Sequence, residues 1–319
     1  MIEKIHRFIV VTPVYEDAEA SGLLFRELSA YYGSDVFVVA VDDGSVKQPL
    51  DVESMSKAKI DGVILKLRRN VGHQRAIAIG LGYVSEHMQI NHRVVVMDSD
   101  GEDLPNTIPN LLSKLESPEI DVVVAKRKSR VETFRFKAFY AVYKRFFNLM
   151  TGRQISFGNF MALKSNAIKR LVAMQELSIH VAAAVIASKL RTSVLALDRG
   201  PRYAGQSKMN FVGLALHGFK ALMVFAEDVL VRVGIACTAI AIFAVGGATA
   251  AIILKLIGIS TPGWFSIALG ILVLMFLQTG ALALMTLMLT GVVRGGTVTA
   301  AIAYHDFIEQ VIATNNQQK

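Results

Sequence analysis

Four carboxylates follow directly on an apolar stretch in the sequence VVVMDSDGEDLP, from Val94 to Pro105. Carboxylate oxygens are the ligands that Mg²⁺ prefers, and side chains two residues apart on an extended segment lie on the same side. The spacing therefore predicts a site for Mg²⁺ or Mn²⁺, which could hold a diphosphate and neutralise its charge as it leaves. The predicted ligands are Asp98, Asp100 and Glu102.

A merely solvated acidic turn would have the same composition, with one acid capping the helix that follows. Asp103, which precedes Leu104 and Pro105, suits such a cap, and it could also act as a base. A second acid pair, Asp42 and Asp43 in VDDGS, also ends an apolar run. Two acidic clusters at the ends of two apolar runs favour a ligand site over a solvated turn.

Five short apolar runs rich in β-branched residues alternate with helix-like segments in the first 130 residues. Such runs suit strands that are buried on both faces of a mostly parallel sheet. In these sheets ligands bind beyond the carboxyl ends of the strands, so the two acidic clusters should meet in one crevice. The sequence contains no P-loop, and no glycine fingerprint follows the first run. The predicted strands are 8–15, 36–45, 63–67, 94–100 and 121–127.

Two long stretches, 233–254 and 256–293, carry no charged residue. A helix of about 20 apolar residues spans a bilayer, and GISTPGW at 258–264 suits a turn between two spans. Because soluble helices normally keep a polar face, the pattern predicts a transmembrane helical hairpin rather than two buried helices of a soluble core. Arg232 and Arg294 flank the hairpin, which predicts cytoplasmic termini.

The chain has 319 residues and a formal net charge of +8, from 34 Lys and Arg against 26 Asp and Glu. A basic excess can indicate nucleic acid, but the sequence has no zinc-ligand spacing and no RNA-binding aromatic motif. With membrane spans present, anionic lipid headgroups or a phosphorylated substrate are the expected partners. The one cysteine, Cys237, excludes an intrachain disulfide, which together with the lack of a signal-peptide pattern predicts a cytosolic setting for residues 1 to about 230.

Four motifs occur in a familiar order and spacing: VVTPVYEDAEA, VDDGS, LRRNVGHQRAIAIGLGYV and VVVMDSDGEDLP. Over residues 5 to about 128 the chain resembles the GT-A glycosyltransferases of family 2. With its hairpin it looks most like the polyprenyl-phosphate hexose transferases, relatives of dolichol-phosphate mannose synthase. The resemblance implies an α/β fold with a Rossmann-like, mostly parallel sheet. The implied divisions are a GT-A domain at 1–208, a juxtamembrane amphipathic helix at 209–231, two transmembrane helices at 232–294 and a cytoplasmic tail at 295–319.

The resemblance also implies a nucleotide-sugar site, in which Asp42 holds the base and Asp98 lies by the ribose. In the family's D-x-D-x-Q pattern the second acid and the Gln meet the metal. Asp100 and Glu102 take those places, and Glu in place of Gln makes the site more anionic. The residues implied to bind the donor are Pro13, Tyr15, Glu16, Asp42, Asp43, Asn70, Gly72, Arg75, Asp98 and Ser99.

The segment RYAGQSKMN resembles the family's R-x-x-G-x-S-K motif before the membrane. The resemblance implies that Arg202, Ser207 and Lys208 meet phosphates of the donor or acceptor, with Arg127 as a further cation for the same task. Arg202 would thereby join Asp100 and Asp103 as a catalytic residue. The alternative is that these cations are ordinary juxtamembrane charges, which are common beside spans.

One departure from the family is Asn159 in SFGNFMALKSNAI, where relatives carry an Asp. An Asn cannot accept a proton as a general base. A sugar hydroxyl needs such a base, whereas a phosphate monoester is largely dianionic at neutral pH. The departure is therefore tolerable for a lipid phosphate acceptor.

Together with the predicted hairpin, the resemblance implies a membrane-anchored inverting glycosyltransferase. It would move a hexose from a nucleotide diphosphate sugar, UDP-linked, to a polyprenyl phosphate at the cytoplasmic leaflet of a bacterial inner membrane, and a homo-oligomer is plausible. No nucleic-acid partner is expected. Two alternatives stay open: a transferase that acts on a glycan or lipid hydroxyl, and a membrane scaffold that keeps the fold without catalysis.

Overall fold

The computed structural model describes residues 2, 6–127, 134–204, 211–259, 263–296 and 303–314. Within this part of the chain eight strands form one sheet: β1 (Phe8–Val14), β2 (Val36–Asp42), β3 (Asp61–Leu67), β4 (Arg93–Val96), β5 (Val122–Arg127), β6 (Met161–Lys164), β7 (Thr192–Leu197) and β8 (Ile308–Ala313). The helices are α1 (Ala18–Tyr32), α2 (Val52–Ala58), α3 (His73–His87), α4 (Ile108–Leu115), α5 (Phe134–Thr151), α6 (Ser165–Val172), α7 (Val181–Ala187), α8 (Phe211–Val224), α9 (Ala226–Leu256) and α10 (Trp264–Gly296).

The strand order is β7-β5-β6-β4-β1-β2-β3-β8. The four central strands β4, β1, β2 and β3 are parallel, and β6 and β8 pair antiparallel with β4 and β3. Because side chains alternate along a strand, Ile9 and Val11 of β1 face α3, α6 and α7, while Phe8 and Val10 face α1, α2 and α4. Helices on both faces explain why the central strands are apolar throughout.

All five predicted strands are present, although β4 ends at Val96 rather than Asp100. The sequence did not predict β6, β7 and β8. Each of these strands is short, and β7 alternates between exposed and partly buried positions, so its pattern resembles an edge or a loop. Their pairing depends on partners far away in the sequence, which local patterns do not reveal.

The C-terminal region differs from the predicted tail at 295–319. In β8, Ile312 pairs with Ile64 of β3, so the chain returns to the sheet after the two long apolar helices. Tyr304 is buried against α3 at Gly82, where an added Cβ would lie 2.7 Å from the tyrosine ring. The α/β domain is therefore completed by residues from both sides of α9 and α10.

The described chain divides into two compact units, and the second contains α9, α10 and residues 145–153, which include the end of α5. The helices α9 and α10 pack against each other with small residues at the contact. A Cβ at Gly247 would lie 3.1 Å from Leu272, and one at Gly234 would lie 3.2 Å from Thr286. Close backbone approach at small residues is typical of helix pairs in membranes.

Few of the apolar side chains of α9 and α10 are buried, and most are exposed or only partly covered. Soluble proteins rarely expose apolar surface of this extent, so the pair is compatible with a transmembrane hairpin. Between the two helices, Gly258 and Gly263 have the positive φ angles of a turn, +78° and +84°. The boundary before the hairpin differs from the prediction, because α8 ends at Val224 and α9 begins at Ala226, six residues before Arg232.

Candidate active site

The carboxyl ends of β1, β2, β3 and β4 lie at one edge of the sheet, and β4 leads into Asp98–Asp103, here called the acidic turn. Ser99 Oγ donates a hydrogen bond of 3.2 Å to the carbonyl of Pro13, which joins the acidic turn to β1. Asp103 accepts from the backbone N–H of Asp98 at 3.0 Å and is buried. Asp103 therefore closes the turn itself, and the predicted helix-cap role is wrong, since neither the cap of the following 3-10 turn nor that of α4 uses its side chain.

Residues Asp198–Tyr203, here called the arginine segment, run beside the acidic turn. The N–H of Gly200 donates to the carbonyl of Glu102 at 3.0 Å, and the N–H of Tyr203 donates to the carbonyl of Asp100 at 2.9 Å. Gly101 has a φ of +88°, and a Cβ there would lie 2.7 Å from the Tyr203 ring. Glycine is required at this position because the two segments approach so closely.

Two arginines of this segment pair with the acidic turn. Arg202 Nη2 lies 2.7 Å from Asp100 Oδ2, and its Nε donates to Glu102 Oε1 at 3.2 Å. The guanidinium of Arg199 forms an ion pair with the other oxygen of Glu102. The four side chains are between 13% and 31% exposed, so the pairs are accessible from the cleft. Burial lowers the pKa of Arg199, and the nearby Asp100 opposes that effect.

His73, the first residue of α3, also contacts the acidic turn. Its Nε2 lies 3.2 Å from Asp98 Oδ1 and 3.0 Å from Asn159 Nδ2. Desolvation in the cleft acts to lower the pKa of His73, but the carboxylates of Asp98, Asp100 and Asp103 outweigh it and raise the pKa above its ordinary value. His73 and Asn159 thus meet Asp98 from two different elements.

The second predicted cluster has a different environment. Asp42 accepts from the backbone N–H groups of Ser45 at 3.0 Å and Leu50 at 2.9 Å. Asp43 accepts in the same way from two N–H groups of the β3–α3 loop, those of Val71 at 2.7 Å and Gly72 at 3.0 Å. Burial raises the pKa of Asp43, and these hydrogen bonds oppose the rise. Both carboxylates order the loops that border the cleft.

Glu16 has a similar role at the end of β1. Its carboxylate accepts hydrogen bonds from three consecutive backbone N–H groups, at 46, 47 and 48. The hydrogen bond from Val46, followed by that from Lys47, lowers the pKa of Glu16. Tyr15 and Asn70 are exposed beside these loops.

Arg75 is the predicted donor residue that the structure places elsewhere. Its guanidinium lies 5.9 Å from the ring of Phe307, and it lines a cavity with Gly82 and Tyr304 that contains no residue of the acidic turn. Successive residues on a helix differ by about 100°, so Arg75 points away from the face that carries His73. The side chain of Arg127, and all of Ser207 and Lys208, lie outside the described residues.

A family profile, Glycosyl transferase family 2, matches residues 9–176, which is more than half of the chain. The chain belongs to glycosyl transferase family 2. It is 26% identical over 67% of its length to an undecaprenyl-phosphate 4-deoxy-4-formamido-L-arabinose transferase of Enterobacter sp., and it covers 65% of that relative. It is 27% identical to an uncharacterized glycosyltransferase of Synechocystis sp., over 83% of this chain and 84% of the relative.

Among solved structures, this family 2 chain is similar to glucosyl-3-phosphoglycerate synthase from Mycobacterium tuberculosis in complex with Mn²⁺, UDP-glucose and phosphoglyceric acid. The TM-score is 0.51 at 14% identity, over 71% of this chain and 79% of that structure. The likeness shows a GT-A-like α/β fold, as the sequence predicted. The Mn²⁺ belongs to the neighbouring structure.

The carboxylates of this family 2 chain have the oxygen chemistry that a divalent cation needs, but their present pairing does not fit one. Within the residues that the structure describes, no three Asp, Glu, His or Cys side chains converge as ligands. Asp100 forms an ion pair with Arg202, and Glu102 forms ion pairs with both Arg199 and Arg202. The three-carboxylate metal site stays a prediction, and Glu102 is its weakest member.

Sequence reasoning missed two members of this family 2 site, Arg199 and His73. The charged run DRGPRY was a signal for Arg199, since it stands three residues before the arginine that the motif identified. His73 had a signal in its position directly after Gly72, at the start of a helix that follows a strand. Neither signal identifies the acidic turn as the partner, because in the sequence the acidic turn is far from Arg199 and 25 residues from His73.

Proposed function

We propose that this protein is a membrane-anchored inverting glycosyltransferase. It moves a hexose from a nucleotide diphosphate sugar, UDP-linked, to a polyprenyl phosphate at the cytoplasmic leaflet. The observation that carries the proposal is the pairing of the acidic turn with Arg199 and Arg202, at the carboxyl edge of a parallel sheet in a family 2 chain. Such an edge is where α/β sheets bind their ligands.

The donor's diphosphate is the group that the two arginines suit. A guanidinium binds phosphate oxygens in a bidentate way, and both guanidiniums are partly exposed, so they can exchange a carboxylate for a phosphate. A nucleotide would lie against the loops that Asp42 and Asp43 order. If Arg202 turns from Asp100 to the diphosphate, Asp98 and Asp100 could hold a Mg²⁺ or Mn²⁺ ion, which would supply further positive charge there.

A lipid phosphate is the acceptor that the site supports best. The Enterobacter relative bears the name of an undecaprenyl-phosphate transferase. At the position where a base would stand, Asn159 has no proton-accepting carboxylate. A phosphate monoester needs no such base, because its second pKa is about 6 and it is already charged at neutral pH.

The membrane part of the proposal is supported by α8 as well as by the hairpin. Leu216, Phe219 and Met223 follow helical spacing on α8 and are 56–61% exposed. An exposed apolar stripe next to a predicted span suits the headgroup region of a bilayer. Strands β1 and β8 lie in one sheet, which supports the proposal that the chain on both sides of the hairpin is on the same side of the membrane. The cytoplasmic side is proposed from the flanking arginines.

The direct test uses the full-length protein purified in detergent. It is incubated with undecaprenyl phosphate, Mg²⁺ or Mn²⁺, and one radiolabelled nucleotide sugar at a time, and the lipid is then extracted and counted. We expect label in the lipid with one UDP-sugar, and none when undecaprenol replaces undecaprenyl phosphate. If a folded preparation labels no lipid with any UDP- or GDP-sugar, the proposal is wrong.

A further inference from the structure

Residues 304–313, here called the returning segment, follow the two long apolar helices in the sequence and pack on the α/β domain. They form a 3-10 turn at Tyr304–Phe307 and the strand β8, which pairs with β3. The family profile ends at residue 176, so the returning segment lies outside the matched part of the chain. Its contacts are therefore not explained by the family match.

Tyr304 anchors the returning segment on α3. The side chain is 6% exposed, and its ring lies against Gly82, where an added Cβ would be 2.7 Å from the nearest ring atom. An alanine at this position would force either the ring or the helix to move, because protein interiors are closely packed. Glycine destabilises a helix interior relative to alanine, and the close approach of the tyrosine explains its presence here.

The β3–α3 loop, residues 68–72, is held at both ends. At its start the N–H of Arg68 donates to the returning segment at 3.0 Å, and at its end Asp43 accepts two backbone hydrogen bonds. Directly after the loop, His73 contacts Asp98 in the cleft. A shift of α3 would therefore move the loop and His73 together.

The anchor and the cleft lie on different faces of α3. Nine residues separate His73 from Gly82, which at about 100° per residue puts the two positions on opposite faces of the helix. Tyr304 thus packs on α3 from the face opposite to the one that carries His73. Any effect of this tyrosine on a ligand in the cleft must pass through the helix and the loop before it.

We propose that Tyr304 is a positioning residue for donor binding, which acts through α3 and the β3–α3 loop. The inference rests on the proposed glycosyltransferase function, in which the nucleotide lies against this loop. The returning segment fixes the loop at Arg68 and fixes the helix at Gly82. A loop that is already ordered binds a ligand without the entropy cost of ordering it, so Tyr304 raises the affinity for the donor.

The test compares Tyr304→Ala with Tyr304→Phe in the full-length protein, well below the unfolding temperature. We expect Tyr304→Ala to weaken UDP binding by about 10-fold, and to change KM for undecaprenyl phosphate by less than about twofold. Tyr304→Phe keeps the ring and should bind UDP like the unsubstituted protein. His305→Ala is the matched control, because its imidazole pairs with Glu86 at an exposed surface of the same turn. A merely structural role would lower the unfolding temperature and leave the UDP affinity of the folded protein unchanged.

Gly82→Ala perturbs the same contact from the side of α3. It should weaken UDP binding by a similar factor, whereas Gly22→Ala on α1 should not, since a Cβ there meets nothing within 4 Å. In the double variant Gly82→Ala/Tyr304→Ala the ring is gone, and the nearest remaining atom of residue 304 is Cβ at 3.3 Å. The double variant should therefore lose less affinity than the product of the two single losses.

Amide hydrogen exchange gives a readout that needs no ligand. We expect residues 68–72 to exchange faster in Gly82→Ala and Tyr304→Ala than in the unsubstituted protein, and at the same rate in Tyr304→Phe. Unchanged loop exchange, or unchanged UDP affinity in both variants, would overturn the inference. If the unsubstituted protein binds no UDP, the proposed function is wrong, and the exchange of the loop still decides whether Tyr304 positions it.

Discussion

Two groups of carboxylates border the same cleft, and they differ in what holds them. Glu16, Asp42 and Asp43 accept hydrogen bonds from backbone N–H groups, and we call them the backbone-held carboxylates. Asp100 and Glu102 pair with arginine side chains, and we call them the guanidinium-held carboxylates. From the sequence alone the two acid clusters looked alike, since each follows an apolar strand.

The difference separates fold from chemistry. Asp42 and Asp43 are buried, and a backbone N–H that loses its acceptor there is left unsatisfied, so a ligand cannot easily take the carboxylate away. A partly exposed guanidinium can turn to another anion, because both partners keep access to water. We therefore expect substitutions of the backbone-held carboxylates to reduce stability, and substitutions of the guanidinium-held ones to reduce activity.

The largest effect is expected for Asp100→Asn. This change removes the charge but keeps an oxygen that can accept the 3.0 Å hydrogen bond from the N–H of Glu102. Transfer should fall by about 100-fold or more, corresponding to roughly 3 kcal/mol of transition-state stabilisation, with little change in the unfolding temperature. Initial rates of lipid labelling and thermal unfolding in detergent measure the two quantities. A variant that is unstable and equally active per folded molecule would reverse the comparison.

Asp42→Ala should give the largest loss of stability. Asp42 is 2% exposed, and its removal leaves the N–H groups of Ser45 and Leu50 without their acceptor. We expect a cost of about 2–4 kcal/mol, seen as a lower unfolding temperature in detergent. Asp51→Ala is the matched control, because Asp51 accepts one hydrogen bond at the exposed start of α2 and should cost only about 1 kcal/mol. An equal shift for the two variants would contradict the expectation.

Arg202→Gln should weaken donor binding without unfolding the protein. Arg202 is 27% exposed and touches Asp100 and Glu102 through its side chain. We expect the affinity for UDP to fall by about 10-fold, or roughly 1.4 kcal/mol, since one charged phosphate contact is lost. Titration with UDP measures the change, and Arg26→Gln on the exposed face of α1 serves as the control. Unchanged UDP affinity would show that Arg202 stays with its carboxylates.

The smallest effect concerns a guanidinium-held carboxylate outside the cleft. The side chain of Arg191 donates to Asp121 at 2.8 Å and 2.9 Å and lowers the pKa of Asp121 to about 2. Because the folded pKa is lower than the unfolded one, this contribution is present above about pH 4 and is lost as the pH falls toward 2. We expect the ion pair to contribute about 1 kcal/mol to the free energy of unfolding, since Arg191 is half exposed. In the Asp121→Asn variant the free energy of unfolding should depend less on pH in this range, whereas the rate of sugar transfer at pH 7 should be unchanged.

Much of the α/β domain could be predicted because its signals are local. The five short apolar runs became strands, and the acids at the ends of two of them reached one edge of the sheet, as parallel strands require. The edge strands could not be predicted in the same way. Strand β8 has six residues, three of them exposed, and pairs with β3 across about 245 residues, so its position depends on tertiary contacts.

The candidate site also contains features that could be predicted from the sequence and features that could not. The types and spacing of Asp98, Asp100 and Glu102 were evident in the sequence, as was the absence of a carboxylate at Asn159. Their partners were not evident, because Arg199 and Arg202 reach the acidic turn through a non-local backbone alignment. The role of Arg75 stays a prediction, although its side chain lies near Phe307: a motif gives position along a helix, whereas the rotation of that helix decides which residue faces the cleft.

The sequence by itself determined the parallel α/β architecture, the apolar hairpin and the acidic edge. Apolar periodicity and charge depend only on residue types and their spacing along the chain. Only the tertiary structure decided which acids are held by backbone amides and which by arginines. It also decided that Asn159 stands opposite Asp98. Hydrogen bonds and ion pairs join atoms that are close in space. Their partners are often far apart along the chain, so no local sequence pattern identifies them.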